Sequence, residues 1–258
     1  MVVADLHVHT TNSDGTLTLE GLPAAAREVG LEAVAVTDHD RISPDLDEPV
    51  STLDGVTVIH GIELRVRAGE LRVDLLGYGV RPTDELTALL ASLQQNRVER
   101  AREMVASVED RLGVSLDVTF EPGVGRPHVA RAVAESDHEY GYDAAFSHLI
   151  GDGGPCYVAR DIPRFEEGRR VLARACGVVG LAHPFRYPDP EAALGLLAHL
   201  DAVELYYPYG RPVDTRPAER AVAEYELLVT GGSDAHGETL GTEGLDREAF
   251  RAVRERLA

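Results

Sequence analysis

Short apolar runs recur through the chain at residues 2–7, 33–37, 56–62 and 71–78, and again at 178–182, 202–205 and 227–231. Each has the length of a strand, and helix-patterned stretches separate most of them. The first helix is expected over residues 19–29, with Thr18 as its cap and Gly30 as its stop. Strands separated by helices predict parallel pairing in an α/β fold. The middle of the chain breaks the rhythm. From residue 84 to 112 helix formers run almost without interruption, shorter helical segments follow at 127–135 and 143–150, and Gly151-Asp152-Gly153-Gly154 reads as a turn. Residues 82–163 are therefore expected as a helical insertion or lid, and residues 1–81 with 164–258 as the α/β body.

Composition narrows the class. A chain of 258 residues with 44% hydrophobic positions buries a sizeable core in one α/β body. No apolar run approaches the ~20 residues of a membrane span. Met1-Val2-Val3-Ala4 leads directly into Asp5-Leu6-His7, so no secretory signal is expected and the compartment expected is the cytoplasm. Cys156 and Cys176 lie in no paired or metal-spaced motif and read as small buried apolar residues. The net charge is −19, and all 25 basic residues are arginine. Such a surface repels long duplex nucleic acid, whose binding requires positive neutralisation. It also suggests adaptation to high intracellular salt, where ~1 M ions shorten the Debye length to ~3 Å.

The candidate chemistry lies at the strand ends. His7 and His9 close the first run, with Asp14 in the turn beyond; Asp38 and His39 close the second; Glu63 ends the third. His183 follows 178–182, and Asp234 with His236 follow 227–231. Functional groups of an α/β barrel gather at the carboxyl ends of strands because that rim brings the loops together. Taken singly, such residues have ordinary explanations: a satisfied histidine, a turn Asp before Gly15, a cap at Ser233-Asp234. Turns and caps do not explain repetition at nearly every strand end, so a metal centre is the expectation. Imidazoles and carboxylates without thiolate suit Mn, Zn or Fe, with Mg also compatible.

On these residues the chain resembles the polymerase and histidinol phosphatase (PHP) superfamily. The similar motifs are Asp5-Leu6-His7-Val8-His9-Thr10 with Asp14-Gly15, Thr37-Asp38-His39-Asp40, Gly61-Ile62-Glu63, Ala182-His183-Pro184 and Gly232-Ser233-Asp234-Ala235-His236. The resemblance implies a distorted (β/α)7 barrel with two to three divalent metals, and phosphate-ester hydrolysis by a metal-bound hydroxide. It implies His7, His9, Glu63 and Asp234 around one metal, Glu63 and His183 on a second, and Asp14, His39 and His236 on a third. Many members carry a histidine where this chain has Asp74. Either Asp74 serves as a ligand favouring a harder metal, or it is a plain strand residue and that site is weakened.

Gly125-Arg126-Pro127-His128-Val129-Ala130 and Gly153-Gly154-Pro155-Cys156-Tyr157-Val158 are similar to segments of members acting on nucleoside 3′,5′-bisphosphates and on short RNA 5′ ends. That resemblance implies Asp38, His128 and His183 as catalytic groups, and Arg126, Arg160 and Arg186 as phosphate clamps, for a nucleotide, a short single-stranded RNA or another phosphorylated small molecule. A histidinol-phosphate-type phosphatase and a non-catalytic PHP module are the alternatives.

Overall fold

The computed structural model describes residues 1–257, which form two compact units: residues 1–87 with 162–257, and residues 88–161. The first unit opens with β1 (Ala4–Val8), α1 (Leu22–Glu28), β2 (Ala33–Val36), β3 (Val50–Leu53), β4 (Val56–Ala68) and β5 (Leu71–Tyr78). Helix α2 (Asp84–Leu112) leads into the second unit, which holds α3 (Arg126–Glu135), α4 (Tyr142–Ala145) and a π-helical turn at Phe146–Ile150. The chain then returns through α5 (Phe165–Ala175), β6 (Val178–Leu181), α6 (Pro190–Leu194), β7 (Ala202–Tyr206), α7 (Arg216–Tyr225), β8 (Leu228–Gly231) and α8 (Arg247–Leu257).

Seven strands follow one path, β1-β2-β4-β5-β6-β7-β8, and β3 pairs with β4 outside it. The path curls until the segment after β8 meets β1: His9 N donates to Ala235 O at 2.9 Å, and Val8 bridges Ala235. This is the expected distorted barrel, with one correction. The β4/β5 and β5/β6 pairs are antiparallel, whereas the strands on either side pair in parallel. The cause is local. Strand β4 continues past residue 62 through an alternation of Leu64 and Val66 with Arg65 and Arg67, and turns back at Gly69-Glu70 into β5. A turn this short admits only antiparallel neighbours. The half-exposed β3 has too few apolar residues to stand out in the sequence.

The period-two geometry of strands divides the core. On β2, Ala33 and Ala35 join one buried cluster with Leu6, Leu76, Tyr78 and Ala202, while Val34 and Val36 join another with Val8, Leu22 and Val58. Burial on both faces accounts for the unbroken apolar runs in the sequence. Helix α1 starts at Leu22, three residues later than its pattern predicts, because Thr18 accepts from Gly21 N through its hydroxyl and from Leu22 N through its carbonyl.

The second unit has a core of its own, with Met104, Val108, Val129, Val133, Leu149, Ile150 and Cys156. Cys176, in the first unit, is enclosed enough for burial to raise its thiol to about 12, so it stays protonated at neutral pH. Among the described residues no helix is long and apolar enough to cross a membrane.

Candidate metal centre

Strand ends deliver the cluster. His7 lies in β1, with His9 and Asp14 just beyond it, and His39 follows β2. Glu63 lies within β4 and Asp74 within β5, His183 follows β6, and Asp234 and His236 follow β8. The antiparallel run of β5 places its ligand-type residue mid-strand, not at the carboxyl end.

Glu63 is the hub. Its carboxylate lies 2.6 Å from His39 Nδ1, 3.1 Å from His183 Nε2, 3.5 Å from His9 Nε2 and 3.6 Å from His7 Nε2. Asp234 Oδ1 stands 3.1 Å from His9 Nε2 and 3.5 Å from His7 Nε2. Asp14 faces His236 at 3.4 Å and His39 at 3.9 Å. Ligand-type atoms fall within 4.8 Å of one another in four overlapping groups: His9, Asp14, His39 and His236; His7, His9 and Glu63; His7, His183 and Asp234; Glu63, Asp74 and His183.

The donor set fits divalent metal. His7 Nε2, both ring nitrogens of His9, Glu63 Oε2 and His183 Nδ1 are buried without a well-directed hydrogen bond. Buried polar atoms left this way are costly unless a ligand satisfies them. Burial, with His39 beside it, pushes the His9 imidazole down to about 4, so near pH 7 it is a neutral ring with a free lone pair. Burial opposes ionisation of Glu63 and Asp234, yet His39 and His7 outweigh it at Glu63, and His7 and His9 at Asp234. Both carboxylates are held well below their ordinary range.

Surrounding residues orient the ligand-type side chains. Glu204 in β7 sets Oε1 2.9 Å from His7 Nδ1, and its Oε2 accepts from His183 N at 2.8 Å. A carboxylate on Nδ1 leaves Nε2 of His7 facing the cluster. His183 itself holds a left-handed backbone, φ 27°, as does Asp234 at φ 53°. Such strain persists where surrounding structure over-determines it. Asp5 ties β1 to the segment after β8, accepting from Ser233 N at 2.9 Å, Ser233 Oγ at 2.6 Å and Gly241 N at 2.8 Å. Gly232 makes that approach possible, since a Cβ there would lie 2.4 Å from His7 N.

The remaining expected residues divide into three kinds. Asp38 is wholly buried, and its oxygens accept from Thr10 N (2.7 Å), Thr10 Oγ1 (2.7 Å), Ser13 Oγ (2.6 Å) and Asn12 Nδ2 (3.2 Å). Arg186 Nη1 donates to Asp234 Oδ2 at 3.0 Å and to Tyr207 Oη at 2.8 Å, and Tyr207 Oη also donates to Asp234 Oδ2 at 2.8 Å. Arg126, Arg160 and His128 belong to the second unit, while every member of the four ligand groups belongs to the first. There, Arg126 pairs with Asp152 at 2.7 Å, and His128 Nδ1 accepts from Gly125 N at 3.2 Å. Burial and the neighbouring Arg126, Arg160 and Arg97 bring the Arg100 guanidinium down to about 10.

Residues 5–180 match the model of the PHP domain, a span that includes the six ligand-type positions from His7 to Asp74 and the whole β4/β5 hairpin. The chain belongs to the PHP family. It is 31% identical over 256 residues to phosphoribosyl 1,2-cyclic phosphate 1,2-diphosphodiesterase of Eggerthella lenta, covering 92% of this chain and 95% of that protein. It is 31% identical to the 3′,5′-nucleoside bisphosphate phosphatase of Chromobacterium violaceum over 72% of this chain and 68% of the relative. Among solved structures, a candidate metal-dependent phosphoesterase from Bifidobacterium adolescentis superposes with a TM-score of 0.80 at 25% identity, over 98% of this chain and 96% of the other.

Three residues of this PHP site escape the sequence reading. Glu204 lies inside the apolar run 202–205, and a carboxylate within an otherwise apolar strand is the signal that could have found it. Arg65 lies opposite Asp74 only once the Gly69-Glu70 turn is recognised. Tyr207 carries no signal, because tyrosine after a strand is ordinary.

Proposed function

We propose that the chain hydrolyses phosphate esters using divalent metal held by His7, His9, Asp14, His39, Glu63, His183, Asp234 and His236. The observation that carries this reading is the convergence of buried, unsatisfied ring nitrogens on two carboxylates at one end of the barrel. When bound, metal ions of this kind (Mn, Zn or Fe, with Mg compatible) lower the pKa of water and neutralise phosphate oxygens. Glu204 fixes the tautomer of His7 and the backbone of His183. Asp38, saturated by loop donors, acts as a positioning residue that shapes residues 10–13. Arg186, steered by Tyr207 and Asp234, offers its exposed guanidinium to the substrate phosphate. In the second unit, Arg126 and Arg160 are assigned to phosphate binding, and His128 to substrate contact.

Nucleotides carrying a terminal phosphate are the first substrate class, and short RNA 5′ ends the next. Support comes from the bisphosphate phosphatase relative and from the Gly125–Ala130 and Gly153–Val158 segments. A second reading, a cyclic phosphodiester of a sugar, is favoured by the near-complete coverage of the Eggerthella relative. The test is product formation by metal-loaded protein: phosphate from adenosine 3′,5′-bisphosphate, mononucleotide or phosphate from a short 5′-phosphorylated RNA, ring-opened phosphomonoester or phosphate from phosphoribosyl 1,2-cyclic phosphate, and phosphate from histidinol phosphate. Turnover of the first or second is expected. Exclusive turnover of the cyclic sugar ester selects the second reading, and inertness towards all four contradicts both.

A further inference from the structure

The Glu63, Asp74 and His183 corner of the site differs from the rest. Elsewhere the one carboxylate with an arginine partner, Asp234, gives Arg186 only Oδ2 and keeps Oδ1 facing His7 and His9. Here Asp74, 1% exposed, is gripped on both oxygens: Arg65 Nε donates to Oδ1 at 2.7 Å and Arg65 Nη2 to Oδ2 at 2.6 Å. His183 Nε2 stays 3.9 Å from Asp74 Oδ2, beyond hydrogen-bond reach. The pairing is written into the backbone. Arg65 and Asp74 are direct partners in the antiparallel β4/β5 register, so their side chains leave the same face. The strand positions are pinned as well: Asp74 N donates to Tyr187 Oη at 2.8 Å, Ala182 N donates to Asp74 O at 3.0 Å, and Arg65 N donates to Asp40 Oδ1 at 3.2 Å.

An ion bound to Asp74 Oδ2 at a normal distance of about 2.1 Å would lie within about 5 Å of the Arg65 guanidinium. Two positive groups that close in a buried site repel strongly. The Arg65 side chain is also less enclosed than the carboxylate it covers, at 36% exposed against 1%, and Nη1 has no hydrogen-bond partner among the described residues. One edge of Arg65 is thus spent on Asp74 while another stays open.

We propose that Arg65 closes the Asp74 corner to metal and supplies the positive charge there itself, binding an oxygen of the substrate phosphate through its free edge. The closure stands on the ion pair alone; the phosphate contact rests on the phosphoesterase reading. Metal then occupies only the corners built on His7, His9, Glu63, His183 and Asp234 and on Asp14, His39 and His236. Asp74 positions Arg65 and ligates nothing.

Two measurements on the full chain test this. The protein is stripped with chelator, reloaded with Mn or Zn and desalted, and metal per chain is counted by mass spectrometry for wild type and Asp74→Asn. Asparagine keeps the shape and one acceptor for Arg65, so equal metal content in the two is expected; loss of one ion per chain in Asp74→Asn overturns the closure. Calorimetric titration of the loaded proteins with inorganic phosphate then compares wild type with Arg65→Lys and Arg65→Met. About tenfold or greater weakening in Arg65→Met, with Lys between, is expected from loss of a charged hydrogen bond. Unchanged affinity in folded Arg65→Lys and Arg65→Met overturns the phosphate contact. Failure of wild type to bind phosphate overturns that contact and counts against the phosphoesterase reading too, while the metal count still decides the closure.

Discussion

Glu204 fixes two ligand-type residues through one carboxylate, one by its ring and the other by its backbone. Because it contacts His7 and His183 and belongs to none of the four ligand groups, its effect belongs in affinity. Glu204→Gln should weaken metal binding by about 10- to 100-fold, the usual consequence of losing such an outer partner. Competition with a chromophoric chelator measures it, and an unchanged metal Kd would remove Glu204 from the account. His60 is a different case: 1% exposed, with neither ring nitrogen hydrogen-bonded, and pushed down by burial to about 4 against a weaker opposing pull from Asp47. Its folded pKa lies below the unfolded value, so the unfolded chain binds more protons. Stability is therefore complete above about pH 6.5 and falls as pH drops towards 4, by roughly 2 kcal/mol at pH 5. Denaturation of wild type and His60→Leu at pH 7 and pH 5 isolates this contribution. Equal losses in the two proteins would show that the buried ring does not govern acid stability.

At the scale of elements, the barrel depends on how the chain after β8 reaches β1. Gly232 sits so close to His7 that any side chain collides with main chain, which cannot move aside as a flexible side chain does. Gly232→Ala should cost about 1–3 kcal/mol and displace His7 and Asp234 together, lowering metal affinity along with the unfolding midpoint. A stable Gly232→Ala protein with normal metal affinity would contradict this view of the closure. The same scale explains what could be read beforehand. Strands buried on both faces show as apolar runs, and residues at their carboxyl ends mark the site, so His7, His9, Asp14, His39, Glu63, His183, Asp234 and His236 were all visible. The β4/β5 hairpin was not. Arg65 and Arg67 interrupt the apolar run of β4, so the strand reads as ending at Ile62 and the antiparallel turn disappears. With the turn went the Arg65–Asp74 pair, leaving Asp74 suspended between ligand and bystander. Asp38 was visible for its position, but its four loop donors belong to tertiary structure alone.

The whole molecule is an α/β barrel unit and a second helical unit with its own core, carrying a net charge of −19 with arginine as its only cationic side chain. Acidic groups this numerous repel one another at low ionic strength, and salt relieves the repulsion. The unfolding midpoint should therefore rise between 0.1 M and 3 M KCl; thermal melts at the two salts check this, and a midpoint independent of KCl would remove the high-salt adaptation. The central claim is that the histidine and carboxylate cluster is a metal centre that hydrolyses phosphate esters. Phosphate release from adenosine 3′,5′-bisphosphate by stripped and Mn-reloaded protein, wild type beside Glu63→Gln, tests it most directly. The account predicts turnover that requires added metal and drops at least 100-fold in Glu63→Gln, which removes the charge on which four histidines converge. Turnover that survives metal removal, or an equally active Glu63→Gln protein, would contradict it.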